Sequence, residues 1–246
     1  MKWPPFTYNV QMSHSYYKLK TGRVACIDGD CAFPPLEHAL REPNGLLAIG
    51  GKLTTAVLLD AYKHGIFPWF SAGEPVMWWS PDPRMVLFPD ELKISASLKK
   101  TLKNHPFETR MNTAFQPVMQ ACANTLRPGQ NGTHNRTWIT SEIINAYCKL
   151  HKIGHAISSE CWLEGELVGG CYGVQINNMF YGESMFHTQP NASKIAFVRL
   201  VEHLKNQGIG MIDCQMKTPL LASFGGREIP RQAFAELLEK MVKYPT

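Results

Sequence analysis

Three strand-length runs, 156–162, 167–174 and 179–184, follow one another closely, with Glu164-Gly165 and Asn177-Asn178 as turns between them. Connections this short leave no room for a crossover, so the runs predict neighbouring antiparallel strands. Asn191 or Ser193 can cap the next segment, a helix with Ala196, Phe197, Leu200, Val201 and Leu204 at apolar positions and Gly208 at its end. Residues 211–214 read as a short strand, and Pro230 opens a last helix through Phe234, Leu237, Leu238 and Met241. Hairpins, helix and strand in this order predict an α+β (mixed α/β) core.

The first third has another character. Thr54 or Thr55 can cap a helix carrying Leu58, Leu59 and Tyr62, which Gly65 terminates. Residues 66–84 then hold three Trp and four Pro, including IFPWF at 66–70 and MWWSPDPR at 77–84. Proline fixes φ and removes a donor, so this stretch should be rigid and irregular. A boundary near Pro83 divides the chain into a small unit, 1–82, and a larger one, 83–246. No internal repeat is present.

With 44% hydrophobic and 18% charged residues among 246, the chain is expected to be a soluble, core-forming protein rather than a disordered one. No apolar run approaches the ~20 residues of a membrane span. Residues 1–10, with Trp3, Pro4 and Pro5, do not read as a secretory signal. A cytoplasmic protein without a membrane partner is the expectation. The 7 Cys are odd in number and lack C-x-x-C spacing, which signals neither a disulfide framework nor a zinc knuckle. The net charge of +5 and pI near 8.8 suit either a solvated surface or a polyanionic partner and do not decide between them.

Several motifs fail on inspection. In GLLAIGGKL (45–53) the Lys comes one residue late for a phosphate loop and Leu53 occupies the hydroxyl position. His151 and His155 have helical zinc-pair spacing, but no Glu lies between them and Gly154 weakens the helix they need. No Gly-x-Ser-x-Gly elbow occurs.

Three ordered segments are more specific: 45–70 running into WWSPDPR (78–84); GESMF (182–186) before NASK (191–194); and IDCQ (212–215) before SFGGREIPR (223–231). In this order they resemble the bacterial leucyl/phenylalanyl-tRNA–protein transferases, over most of the chain from Phe33 to Leu238. Lys52 stands where that family usually has Asp, and 126–136 is longer than expected before Trp138. The resemblance implies a small N-terminal domain and a larger acyltransferase-like (GNAT-like) domain. The turn HTQPNAS (187–193) lacks the Q/R-x-x-G-x-G/A loop by which acyl-CoA acetyltransferases cradle pyrophosphate. An acyl-CoA-dependent N-acetyltransferase is the alternative that this omission argues against.

The implied reaction moves Leu, Phe or Met from charged tRNA to the α-amino group of a protein beginning with Arg or Lys. The ester is already activated, so no ATP, metal or other cofactor is expected, only orientation, proton removal and oxyanion stabilisation. Asp213 and Gln215 lie two apart on a predicted strand and should share a face; by themselves they read more readily as strand-end residues satisfying backbone groups. The resemblance makes them the catalytic pair, with either Asp213 acting through Gln215 or the tRNA hydroxyl moving the proton. It places Glu183 with Asp213 as a negative pocket for the cationic N-terminus. Trp69 and Trp138 are matched to contacts with the 3′ adenosine, though each could be plain core. Cys171, Phe180, Met185, Phe197 and Leu200 are expected around the transferred side chain, Cys171 standing where Met is common. Arg84, Lys99, Lys100 and Lys103 are the candidates for the acceptor stem.

Overall fold

The computed structural model describes residues 8–9, 15–28, 32–125 and 137–243. The 126–136 loop, the Trp3-Pro4-Pro5 segment and Cys31 lie outside them.

The described chain is a mixed α+β fold with two sheets. The first contains β1 (Tyr8–Asn9), β2 (Ser15–Leu19), β3 (Gly22–Ile27), β4 (Leu46–Gly50), β5 (Phe67–Pro68) and β6 (Met77–Trp79), in the order β1-β2-β3-β4-β6-β5. The Trp- and Pro-rich stretch is therefore not wholly irregular: β5 and β6 pair antiparallel, Phe67 with Trp79 and Pro68 with Trp78. The helix α1 (Thr55–Lys63) starts where Thr54 accepts the Val57 N–H at 3.2 Å and buries Val57, Leu58, Ala61 and Tyr62. It stops before Gly65, whose φ of +74° a side chain would resist. A Cβ there would also stand 2.7 Å from the Phe234 ring, so the glycine lets the last helix come close.

The second sheet is ordered β13-β7-β12-β11-β10-β9-β8. Its strands are β7 (Arg84–Leu87), β8 (Glu108–Met111), β9 (Ala156–Leu163), β10 (Glu166–Ile176), β11 (Met179–His187), β12 (Met211–Gln215) and β13 (Arg227–Ile229). The hairpins run as expected, with Glu164 and Gly165 at φ 51° and 83° and Asn177 at 49°, the left-handed values such turns require. The helices of this part are α2 (Ala96–Asn104), α3 (Phe115–Asn124), α4 (Ser141–Lys152), α5 (Ala192–Asn206), α6 (Pro219–Ser223) and α7 (Arg231–Lys243). Asn191 does precede α5, but with φ 67° and no side-chain cap; the Ser193 hydroxyl meets His187 Nδ1 at 3.2 Å instead. The strand–helix–strand passage β11-α5-β12 makes β11 and β12 parallel.

Apolar residues on opposite faces of the second sheet feed two cores. Tyr172 and Val174 of β10 join Tyr62, Trp78 and Phe234 in one core, while Cys171 joins Phe180, Phe197 and Leu200 in the other. Ala114, the residue before α3, offers no cap of its own. The fully buried Glu160 of β9 supplies one across the sheet edge. It accepts from the Thr113 N–H (3.2 Å), the Thr113 hydroxyl (2.6 Å), the Ala114 N–H (3.3 Å) and the Ser158 hydroxyl (2.6 Å).

Candidate active site

Two bulges in adjacent strands build the site. Along β10 and β11, Tyr172 pairs with Ser184 and Gly173 with Gly182, which leaves Glu183 without an opposite residue. Along β12 and β7, Asp213 pairs with Val86 and Gln215 with Met85, which leaves Cys214 unmatched. A bulge re-aims the side chains beside it. The parallel pairing of β11 with β12 ends at Tyr181 and Asp213, while β11 continues to His187. Glu183 and Gln215 both follow that last pair.

Glu183 is half-buried as a residue, yet protein atoms enclose its carboxylate. Tyr62 of α1 donates to it at 2.6 Å and Tyr147 of α4 at 3.4 Å, and the two hydroxyls touch each other. Burial raises the Glu183 pKa to about 8 and the Asp213 charge adds to the rise, while both hydroxyls and the Arg84 charge oppose it. Burial likewise raises Tyr62 and Tyr147 well above the usual phenol value, Glu183 adding to both, so they stay protonated donors. A third phenol, Tyr181, donates to the Tyr62 carbonyl at 2.7 Å and anchors α1 to β11.

Asp213 and Arg84 are both fully buried and form a two-pronged pair, Nε to Oδ1 at 2.8 Å and Nη2 to Oδ2 at 2.7 Å. Arg84 therefore does not meet the expectation of an acceptor-stem contact, because its guanidinium is enclosed between the Phe67 and Phe234 rings, 4.9 and 4.6 Å from their centres. Asp213 and Gln215 also do not keep the regular alternation expected of them. The bulge breaks the two-residue alternation and Gln215 has φ 57°; the two residues are coupled by the Gln215 N–H on Asp213 Oδ1 at 2.9 Å. The Gln215 Nε2 is buried and has no partner in the protein.

The other expected site residues are dispersed. Cys171, Phe180, Phe197 and Leu200 share a core with the half-buried Met185. Trp69 is 40% exposed, and its ring meets that of Trp79 edge-on at 5.5 Å, whereas Trp138 is buried just before α4. Among the described contacts none joins either indole to the Glu183–Asp213 group. Lys99, Lys100 and Lys103 are exposed on α2. His151 and His155 meet separate carbonyls, Ala156 at 2.7 Å and Gln175 at 3.1 Å. Among the described residues no three His, Cys, Asp or Glu side chains gather as a metal site, and no helix is long and apolar enough to cross a membrane.

A cavity of about 650 Å³ lies elsewhere, between residues 32–36, α1 and α7, with Asp60, Lys63 and His64 on its wall and none of the Glu183–Asp213 group. Among the described residues, a buried ion pair and an unpartnered amide donor converge in the polar group and not on the wall of this cavity.

Sequence reasoning missed the tyrosines. Tyr62 reads as one more apolar helix position and Tyr147 carries no local signal. Their common feature, a hydroxyl where Leu or Phe would fill the same core, acquires meaning only once a buried carboxylate is seen between them.

Comparison with known proteins gives concordant matches. The family model described as leucyl/phenylalanyl-tRNA protein transferase matches residues 86–239, and the N-terminal domain model of the same name matches 51–82. Proteins named leucyl/phenylalanyl-tRNA–protein transferase from Chromobacterium violaceum and Nitrosospira multiformis are 57% and 54% identical. The matches cover 87% and 89% of this chain, and 89% and 92% of those proteins. The relative from Stutzerimonas stutzeri is 51% identical, over 88% of this chain and 94% of its own. A solved GCN5-related N-acetyltransferase from Kribbella flavida overlays with a TM-score of 0.38 and 9% identity, covering 91% of this chain and 86% of that one, a likeness too loose to carry an argument.

Proposed function

The chain belongs to the leucyl/phenylalanyl-tRNA–protein transferase family, and from that premise we propose which amino acids it moves, to which proteins, and with which residues. As a member it is an aminoacyltransferase that joins an amino acid from charged tRNA to a protein. In our reading it delivers Leu, Phe or Met to the α-amino group of cytoplasmic proteins beginning with Arg or Lys, and so marks them for degradation. The acyl-CoA alternative is not favoured.

The observation that carries this reading is the nearness of an enclosed carboxylate, Glu183, to the Arg84-held Asp213 and the unpartnered amide of Gln215. A cationic N-terminal side chain has ground-state reason to enter such a pocket, and each charge-assisted hydrogen bond there contributes ~1.5–3 kcal/mol. Tyr62 and Tyr147 hold Glu183 in place. The free Gln215 N–H donors suit an oxygen that gains negative charge as the ester is attacked. Asp213 contributes its charge to the same pocket.

Cys171, Phe180, Met185, Phe197 and Leu200 receive the transferred side chain in this reading, their shared apolar core on one side of the sheet supporting it. Trp69 and Trp138 serve the terminal adenosine, Trp69 with the more exposed face, and stacking of a base contributes ~1–3 kcal/mol. Lys99, Lys100 and Lys103 are free to meet the acceptor stem. The units 1–82 and 83–246 cooperate, because Tyr62 comes from the first and Glu183 from the second.

The test is transfer of labelled Leu from tRNA to a protein beginning with Arg, beside the same protein beginning with Ala. Transfer to the Arg form alone is expected. Equal rates on both remove the role given to Glu183, and use of acetyl-CoA in place of charged tRNA removes the donor assignment.

A further inference from the structure

Arg84 comes from a stretch whose prolines suggest only rigidity, and it lies 129 residues from the carboxylate it meets. Its burial is complete and its pairing with Asp213 two-pronged. A buried fork of this kind is Arg chemistry, since a Lys ammonium is a point charge and cannot span both oxygens. Three separate parts of the molecule grip it: Phe67 from the first sheet, Phe234 from α7 and Asp213 from β12. The Phe67 and Phe234 rings, 4.9 and 4.6 Å from the guanidinium carbon, restrict its movement and thereby that of the carboxylate.

The carboxylate in turn holds Gln215. Oδ1 accepts from Arg84 Nε and from the Gln215 N–H, whose backbone is left-handed at φ 57°. That conformation is costly for a residue other than glycine and persists where its surroundings impose it. Both oxygens of Asp213 are thus engaged by donors. From this geometry we infer that Arg84 is a positioning residue for the transfer: acting through Asp213, it fixes the bulged turn that aims the Gln215 amide at the reacting centre. Asp213 works by orientation, joining Arg84 to the Gln215 backbone. The inference rests on the reading of Gln215 given above and assigns to Arg84 a task different from contact with tRNA.

The experiment is a double-mutant cycle on the full chain, with Arg84→Lys and Gln215→Ala assayed for kcat and for KM towards charged tRNA and the Arg-starting protein, and with melting curves to show folding. A residue acting through Gln215 has nothing left to act on once that amide is removed. Folded Arg84→Lys is expected to lose about tenfold or more in kcat with both KM values within about twofold of wild type. In the Gln215→Ala background the same change should cost less than about twofold. Unchanged kcat in folded Arg84→Lys, a loss that falls in KM instead, or losses that multiply in the double variant overturn the inference while leaving Gln215 its role. A Gln215→Ala enzyme at full rate instead removes both the role of Gln215 and the route through it. If Arg84→Lys does not fold, Phe234→Leu replaces it, loosening the clamp without touching the ion pair. About a threefold kcat loss is then expected alone and none on top of Gln215→Ala; an unchanged kcat or a multiplied loss overturns the inference.

Discussion

Glu160 and Asp213 are both wholly buried carboxylates of the same sheet, but their surroundings differ in kind. Glu160 is satisfied by the Thr113 and Ala114 N–H groups at the start of α3, by the Thr113 hydroxyl and by the Ser158 hydroxyl two residues away. Nothing around it waits for a ligand. Asp213 is held by a distant guanidinium at a bulge, next to a left-handed residue with an unpartnered amide and close to a second carboxylate whose pKa is raised. Burial of charge is common to both. Both also have a left-handed residue close by, Asn112 and Gln215, so what separates them is unspent hydrogen-bonding capacity beside the charge.

The comparison breaks most visibly at Asp213. Asp213→Asn leaves Arg84 unpaired and loosens Gln215, so transfer should fall by about a thousandfold, roughly 4 kcal/mol in the barrier. Both kcat and the KM for the protein substrate should suffer in steady-state assays. Retention of a tenth of wild-type activity would place Asp213 with the structural caps. Glu160→Ala is the counterpart. It uncaps α3 and should cost about 3 kcal/mol in denaturant unfolding while kcat of the folded enzyme stays within about twofold. A large fall in kcat at unchanged stability would dissolve the distinction.

Above about pH 8, where Glu183 is ionised, Glu183→Gln should raise the KM for an Arg-starting protein by roughly thirtyfold, about 2 kcal/mol of charge-assisted pairing, with a smaller effect on kcat. The same variant tests the pH behaviour. The folded protein holds the Glu183 proton up to about pH 8, whereas its ordinary value is 4.5. This group's contribution to stability is therefore full below about pH 4.5 and lost as pH rises through 8. Ionisation through that window also strengthens the pocket for a cation, so the wild-type KM for the basic N-terminus should fall as pH rises, and the Gln variant should lack that part of the trend. The smallest effect is expected at Trp69. Trp69→Ala should raise the KM for charged tRNA about fivefold, near 1 kcal/mol of lost stacking, with an unchanged melting curve. A changed melting curve with unchanged KM would return this indole to the packing of Trp79.

Local chemistry by itself determined much of the framework. Thr54 and Gly65 bound α1, and Glu164-Gly165 turns β9 into β10, because caps and left-handed turns depend on residues within a few positions of one another. The ordered motifs led to Glu183, Asp213 and Gln215. They did not lead to Tyr62 and Tyr147, or to the true place of Arg84. Those residues stand 121, 36 and 129 positions from the carboxylates they meet. No periodicity reports such distances: an exposed arginine and one clamped between Phe67 and Phe234 look alike in sequence, as do a core tyrosine and a carboxylate's donor. The bulges at Glu183 and Cys214 were hidden for a related reason. Strand alternation assumes regular pairing, and only the packing of β11 and β12 against their neighbours decides where that pairing slips. Tertiary structure alone therefore settled which buried charges are paired and which donors remain free, because desolvation and pairing energies exist only after distant segments have been brought into contact.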